Sequence, residues 1–225
     1  MSSEPITIDI ISDVVCPWCF IGKRNLESAL RAWREQHPED AVQVRWHPFQ
    51  LNPDLPAQGM TRRQYLERKF GGPERAKEIY ARVEAAGRRA GIEFDFAAIA
   101  VQPNTVDAHR LMHLAAQHEH QDEMAEALFS GYFLEGANLA DAGALAALAQ
   151  RAGLPAAQAR EYLAGGADRD LIEEQDRRAH AIGVEGVPFF IFNQRVALSG
   201  AQPPEVMVRT MEQSAQAPAA VQQGG

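Results

Sequence analysis

Cysteine is almost missing from this chain of 225 residues, which has Cys16, Cys19 and no other. A structural zinc site wants four ligands, and no second cysteine pair exists to complete one. None of the seven histidines stands near the pair at finger-like spacing. A purely structural disulfide across so short a loop would constrain little of the unfolded chain. Excess positive charge is missing as well. The formal net charge is −8, which argues against a nucleic-acid-binding surface and against an anionic-membrane patch. No apolar run approaches the roughly 20 residues that a membrane span requires. The opening Met1-Ser2-Ser3-Glu4-Pro5 lacks a basic region, an apolar core and a cleavage site, so cytoplasmic residence is the default expectation. There is no internal repeat. What is present is an ordinary globular composition, 46% hydrophobic and 23% charged, in a chain long enough to bury a full core.

The two cysteines lie inside Val14-Val15-Cys16-Pro17-Trp18-Cys19. Upstream, Ile6-Thr7-Ile8-Asp9-Ile10-Ile11 is rich in β-branched residues with partial alternation, the pattern of a mostly buried strand. Downstream, Leu26, Leu30 and Trp33 recur at helical spacing, with Lys23, Arg24 and Glu27 interleaved. A CxxC between a strand and a helix points to thiol–disulfide chemistry. With Cys16 at the N-cap, Pro17 takes the first helical position, where its missing N–H costs nothing. The free N–H groups of Trp18 and Cys19 are then expected to point at the Cys16 sulfur, and the helix dipole favours a thiolate there. A thiolate is the nucleophilic form. Cys19 follows one turn later, within reach of a mixed disulfide on Cys16. Cys16 is therefore the candidate attacking thiol and Cys19 the resolving one. In a cytosol held reducing, such a pair rests as a dithiol and serves as reductant, isomerase or sensor.

Further on, Val42, Val44 and Trp46 alternate with Gln43, Arg45 and His47 as a second strand that ends at Pro48. From about Thr61 to Ile182 the pattern is helical and rich in alanine. Ile79, Tyr80, Val83 and Ala90 form one expected apolar stripe between Pro73 and Gly91. Met124, Leu128, Phe129 and Tyr132 form another. Asp141 reads as the N-cap of a helix stopped at Gly153. Leu171, Gln175, Ala179 and Ile182 suggest a last long helix ending at Gly183. Strands return at 189–192 and 195–198, joined by Asn193-Gln194 at hairpin length, and Pro203-Pro204 open a terminal helix through Val206, Val208 and Met211. The predicted organisation is α/β: a thioredoxin-like β-α-β … β-β-α unit from residues 1–60 and 171–214, an all-helical insertion at 61–170, and a disordered tail at 215–225.

Pro188 precedes an apolar strand, an awkward place for a residue without an N–H. A cis Val187–Pro188 bond and an ordinary trans proline opening an edge strand both account for it. A cis turn would leave the Val187 backbone free to pair with an extended peptide beside the thiols. His109 and His113 have the i, i+4 spacing of a metal pair, but a packed helix face with Val106 and Ala116 explains them better, and no metal site is expected. His118 and His120 read as solvent-exposed. His47 is a candidate to approach the motif from the second strand. Asp13 reads as a turn residue, and Trp18 as an exposed aromatic that contacts substrate.

Together these residues resemble the DsbA-like branch of the thioredoxin superfamily, and within it the cytoplasmic FrnE-like oxidoreductases. The resemblance rests on Cys16-Pro17-Trp18-Cys19, Trp46-His47-Pro48-Phe49-Gln50-Leu51-Asn52-Pro53, Asn104-Thr105 with Ala108-His109-Arg110, Gly186-Val187-Pro188-Phe189-Phe190, and Ser199-Gly200-Ala201-Gln202. It implies a thioredoxin fold with an inserted helical domain, and a cis Pro188 facing the thiols. Pro17, Trp18, Val187 and Pro188 are then the expected substrate-binding residues. The implied activity is reduction or isomerisation of disulfides in protein or peptide substrates, sustained by a cellular thiol reductant. No bound cofactor is implied, with glutathione a candidate co-substrate. Some relatives instead bind glutathione and isomerise small aromatic acids, as 2-hydroxychromene-2-carboxylate isomerase does, but they carry serine at the first motif position. That isomerase chemistry and a non-redox binding role on the same fold are the alternatives. Nothing in the sequence specifies an oligomeric state.

Overall fold

Alternation along Ile6-Thr7-Ile8-Asp9-Ile10 sends Ile6, Ile8 and Ile10 to one face of the first strand, where all three are buried. In the computed structural model, which describes residues 5–216, this strand, β1 (Ile6–Ser12), is central in a four-stranded sheet. Helix α1 (Pro17–Gln36) carries the chain across to β2 (Val42–Pro48), which pairs parallel to β1. Near the end of the chain, β5 (Phe189–Phe192) pairs antiparallel to β1 on its other side, and β6 (Val196–Ser199) pairs antiparallel to β5. The order is β2-β1-β5-β6. The β5–β6 connection has positive φ at both Asn193 (51°) and Gln194 (55°), as a two-residue hairpin of type I′ requires. Asn193 also closes the sheet: its Oδ1 accepts the Thr7 N–H at 2.8 Å, and its own N–H donates to the Thr7 carbonyl at 2.8 Å. The terminal helix α9 (Pro204–Gln216) buries Met207 and Met211 against the face that α1 covers with Leu26, Ala29, Leu30 and Trp33.

Between β2 and β5 lie a two-residue ribbon, β3 (Met60–Thr61) with β4 (Val101–Gln102), and the helices α2 (Arg62–Phe70), α3 (Pro73–Arg89), α4 (Val106–Gln117), α5 (Gln121–Glu135), α6 (Ala142–Arg151), α7 (Ala156–Ala164) and α8 (Arg169–Ala181). Helix ends follow local chemistry. Thr61 and Gln64 form a capping box on α2, and Asp141 accepts the Ala144 N–H at the start of α6. Arg110, fully buried on α4, donates to the carbonyls of Tyr162, Leu163, Gly165 and Ala167, which satisfies the C-terminal end of α7 and the loop beyond it. Phe20 of α1 stacks on Phe129 of α5 at 5.3 Å between ring centroids and also meets Phe94 and Phe133, so one hydrophobic core runs from the sheet into the helical segment. Lys23 is buried among Glu27, Asp122 and Glu126, and Arg24 binds Glu126 at 2.5 Å, joining α1 to α5.

Four expectations need correction. Ile79 is exposed, because α3 turns Ala76, Val83, Ala86 and Gly87 inward instead. Leu171 and Ile182 are exposed as well, since the buried face of α8 is Ile172, Asp176 and Ala179. A buried aspartate hides that face from an apolar pattern: Asp176 accepts the Gln50 N–H at 2.6 Å. Strand β6 runs one residue later at each end than the expected 195–198, from Val196 to Ser199. Helix α9 extends through Gln216, into the stretch expected to be disordered, and 217–225 lie outside the described residues.

Candidate active site

Helix α1 starts where the sequence places its cap. Cys16 is the N-cap, with extended φ −93° and ψ 113°, and Pro17 opens the first turn. The capping hydrogen bonds differ from expectation. The Cys16 side chain accepts none; the Cys19 N–H turns back to the Cys16 carbonyl at 3.0 Å, tightening the first turn. The Cys16 thiol instead donates outward, to the Val187 carbonyl at 3.5 Å. Both cysteines are free thiols.

Their surroundings differ. Trp18, 41% exposed, stands out from the helix end between two buried thiols, Cys16 at 5% exposure and Cys19 at 1%. Burial pushes the Cys19 thiol well above its ordinary range, and the neighbouring Cys16 sulfur adds to the rise; the Ser12 hydroxyl and the Asp13 backbone act in the opposite direction. Opposite the thiols, the Val187–Pro188 peptide bond is cis. Pro188 is buried beneath the surface, while Val187 is half-buried at its edge. Glycine at 22 permits this approach: a Cβ there would lie 3.0 Å from Pro188 Cγ and 3.1 Å from Phe190 Cζ. The Pro188 carbonyl accepts the Gly200 N–H at 2.8 Å, so the Ser199-Gly200 turn is anchored behind the same residue. The structure thus gathers Cys16, Pro17, Trp18 and Val187 at one edge, with Cys19 and Pro188 just below it.

Asp13 is more than a turn residue. Its carbonyl does accept the Cys16 N–H at 3.0 Å, but its side chain is completely buried. Oδ2 accepts the Leu51 N–H at 2.8 Å and Oδ1 lies 3.5 Å from His109 Nε2. His109 in turn hydrogen-bonds the Phe49 carbonyl at 3.2 Å, the satisfied packed histidine that its helix face suggested. Asp13 and His109 together fasten the segment after β2 to the floor of the site. His47 is held by Asp9 at 2.8 Å and forms, with Ser12, Val14, His109 and His113, part of the wall of a cavity behind the motif. His118 is exposed; His120 is half-buried beneath Gly153. Ser12 and the buried role of Asp13 carry no periodic signature in the sequence. Among the described residues no group of three or more His, Cys, Asp or Glu side chains is placed to hold a metal ion. No described helix is long and apolar enough to cross a membrane.

Chemically, the arrangement offers a buried thiol at the helix cap next to an exposed aromatic, the Val187 N–H without a partner among the described residues, and a second, deeper thiol one turn behind. Residues 7–212 match the DSBA-like thioredoxin domain family. A crystal structure of a probable DsbA oxidoreductase from Streptomyces coelicolor superimposes with a TM-score of 0.85 at 29% identity, over 96% of this chain and 93% of that one. The uncharacterized protein YwbO of Bacillus subtilis (strain 168) is 26% identical over 192 residues, 85% of this chain and 88% of its own. A 2-hydroxychromene-2-carboxylate isomerase shares the fold, with a TM-score of 0.66 at 12% identity over 92% of this chain and 95% of that one.

Proposed function

We propose, since the chain belongs to the DSBA-like thioredoxin domain family of thiol–disulfide oxidoreductases, that it reduces or isomerises disulfides in protein or peptide substrates. The observation that carries this reading is the Cys16 thiol at the α1 cap, 3.5 Å from the Val187 carbonyl, with the second thiol buried behind it. An extended substrate lies along Val187, whose N–H has no partner among the described residues, and displaces the thiol from the carbonyl. Trp18 and Pro17 supply the apolar contact beside it. The Cys16 thiolate attacks one substrate sulfur, and the other substrate sulfur leaves as a thiolate and takes up a proton. Cys19, once deprotonated, attacks the Cys16 sulfur of the mixed disulfide and releases the reduced substrate, leaving a Cys16–Cys19 disulfide. A cellular thiol, glutathione among the candidates, restores the dithiol by the same exchange in reverse. In isomerisation the substrate's own second thiol replaces Cys19 in the resolving role.

Cysteine at 16 favours this chemistry over the isomerase chemistry of the fold's serine-bearing relatives. The test is Cys19→Ser. The variant should accumulate a mixed disulfide between Cys16 and a disulfide-containing peptide or glutathione, visible as a mass increment. Absence of any adduct, with activity retained after both thiols of the native protein are alkylated, would overturn the assignment.

A further inference from the structure

The resolving step needs the Cys19 proton to leave a buried sulfur, and the first-turn geometry supplies no obvious route. Ser12, the last residue of β1, stands beside it. The Ser12 hydroxyl is fully buried and has no hydrogen-bond partner of normal geometry among the described residues. It is near enough to the Cys19 thiol to oppose the effect of burial there. An unpartnered buried hydroxyl costs stability, so a purely structural role does not account for a serine here. The same residue opens into a cavity of about 30 Å³ behind the motif, walled on other sides by His109, His47 and His113. The lining is mixed, but with Ser12, His47, His109 and Gln121 in the wall a space of that size admits a water molecule, for which roughly 10–15 Å³ suffices. His109 lines it: Nε2 engages the Phe49 carbonyl, and Nδ1 makes no hydrogen bond among the described residues.

We propose that Ser12 and His109 form the proton path of the resolving thiol: the Ser12 oxygen accepts the Cys19 proton as the Ser12 hydroxyl passes its own through a water in the cavity to His109 Nδ1, and the hydroxyl so re-formed donates a hydrogen bond to the Cys19 thiolate. The S–S bond between Cys16 and substrate then breaks as the Cys16–Cys19 bond forms, and the leaving substrate thiolate is protonated from solvent. Other charged groups around the path are already engaged. Asp13 holds the Leu51 N–H and sits 3.5 Å from His109 Nε2; His47 pairs with Asp9; His113 lies 3.9 Å from Asp168; Asp176 holds the Gln50 N–H.

The inference rests on Cys16 being the attacking thiol, and dithiobis(nitrobenzoate) separates the two claims. Attack by Cys16 releases a first coloured thiolate, and resolution by Cys19 releases a second. Ser12→Ala should leave the first release unchanged and slow the second about tenfold at neutral pH, the loss expected for one hydrogen bond to a charged group. Ser12→Thr, which keeps the hydroxyl, should restore most of the rate. His109→Gln should slow the second release at neutral pH and make it climb with pH toward the native rate in alkali, where hydroxide replaces the base. Because Ser12→Ala deletes an unpartnered hydroxyl, it should fold at least as stably as the native protein, and the unchanged first release verifies the site. A second release at the native rate and pH profile in both Ser12→Ala and His109→Gln would overturn the proton path while leaving the thiol assignment intact. A first release that persists in Cys16→Ser would instead overturn the thiol assignment.

Discussion

Cys16 and Cys19 are the same residue type one helical turn apart, and position alone separates their chemistry. Both are buried, but Cys16 sits at the cap next to the exposed Trp18 and touches a backbone carbonyl, whereas Cys19 lies deeper, with burial pushing its thiol up. Alkylation of the reduced protein at neutral pH should therefore label Cys16 about tenfold faster or more, since the thiolate is the reactive form. Peptide mapping after a brief iodoacetamide pulse measures the ratio, and equal or inverted labelling would contradict the asymmetry. The motif itself was legible because its information is local: spacing, a proline at the first helical position and a flanking strand. The buried role of Asp13 was not, because it is defined by partners far along the chain, Leu51 and His109. His109 was read as a packed histidine, but not as a partner of the Phe49 carbonyl 60 residues away. Ser12, whose hydroxyl has no partner among the described residues, leaves no pattern at all. The capping pattern also escaped, since either the Cys16 sulfur or its carbonyl can receive the first free N–H.

At the scale of elements, the site depends on how closely α1 approaches β5. Gly22 is the contact point, and an added methyl meets the Pro188 ring at 3.0 Å and the tip of Phe190 at 3.1 Å. Gly22→Ala should lower stability by about 1–3 kcal/mol, as overpacking does, and should slow thiol exchange by displacing Val187 from Cys16. Denaturant unfolding together with the rate of mixed-disulfide formation would show it, and an unchanged exchange rate would argue that the two elements adjust independently. The second junction is electrostatic. Burial of Glu126 on α5 works against its charge, but the Arg24 hydrogen bond and the Lys23 and Arg24 charges outweigh this and hold the carboxyl below its ordinary range. Burial likewise opposes the Lys23 charge, and Asp122, Glu27 and Glu126 outweigh it, so that group is raised. A lowered carboxyl stabilises the fold above its unfolded pKa, and that contribution disappears as pH falls through the native value. The raised lysine acts oppositely, its contribution lost only as pH climbs above its ordinary range. Glu126→Gln should accordingly cost about 1 kcal/mol at pH 7, a low figure because solvent screens the partly exposed pair. The difference from the native protein should vanish in acid, below the native carboxyl's titration. A gap that persists unchanged at about pH 2 would locate the effect in packing rather than charge.

Across the whole molecule, the strand–helix grammar was readable because β1, β2, β5 and α1 bury regular faces, whereas α3 and α8 misled because each turns a mixed face inward. Alanine and glycine in α3, and an aspartate in α8, occupy buried positions that an apolar stripe would have assigned elsewhere. The proposed division into a thioredoxin-like unit and a helical insertion at 61–170 concerns chain topology, and packing does not follow the same line. Phe20, next to Cys19 on α1, has its ring among Phe94, Phe129 and Phe133, and Trp46 of β2 tilts onto Phe129 from the sheet side. Neither unit closes its core without the other, so they should unfold together. Truncating a buried phenylalanine costs about 3–5 kcal/mol through lost transfer energy and the cavity left behind. Phe20→Ala should therefore shift the unfolding of sheet and helices by the same amount, although the residue belongs to only one of them. Hydrogen exchange reads both parts at once: protection of β1 amides and of α5 amides should fall in parallel. If the substitution loosened α5 while β1 kept its native protection, the helical segment would be a separately stable body, and its contact with the thiol helix would be docking rather than a shared core.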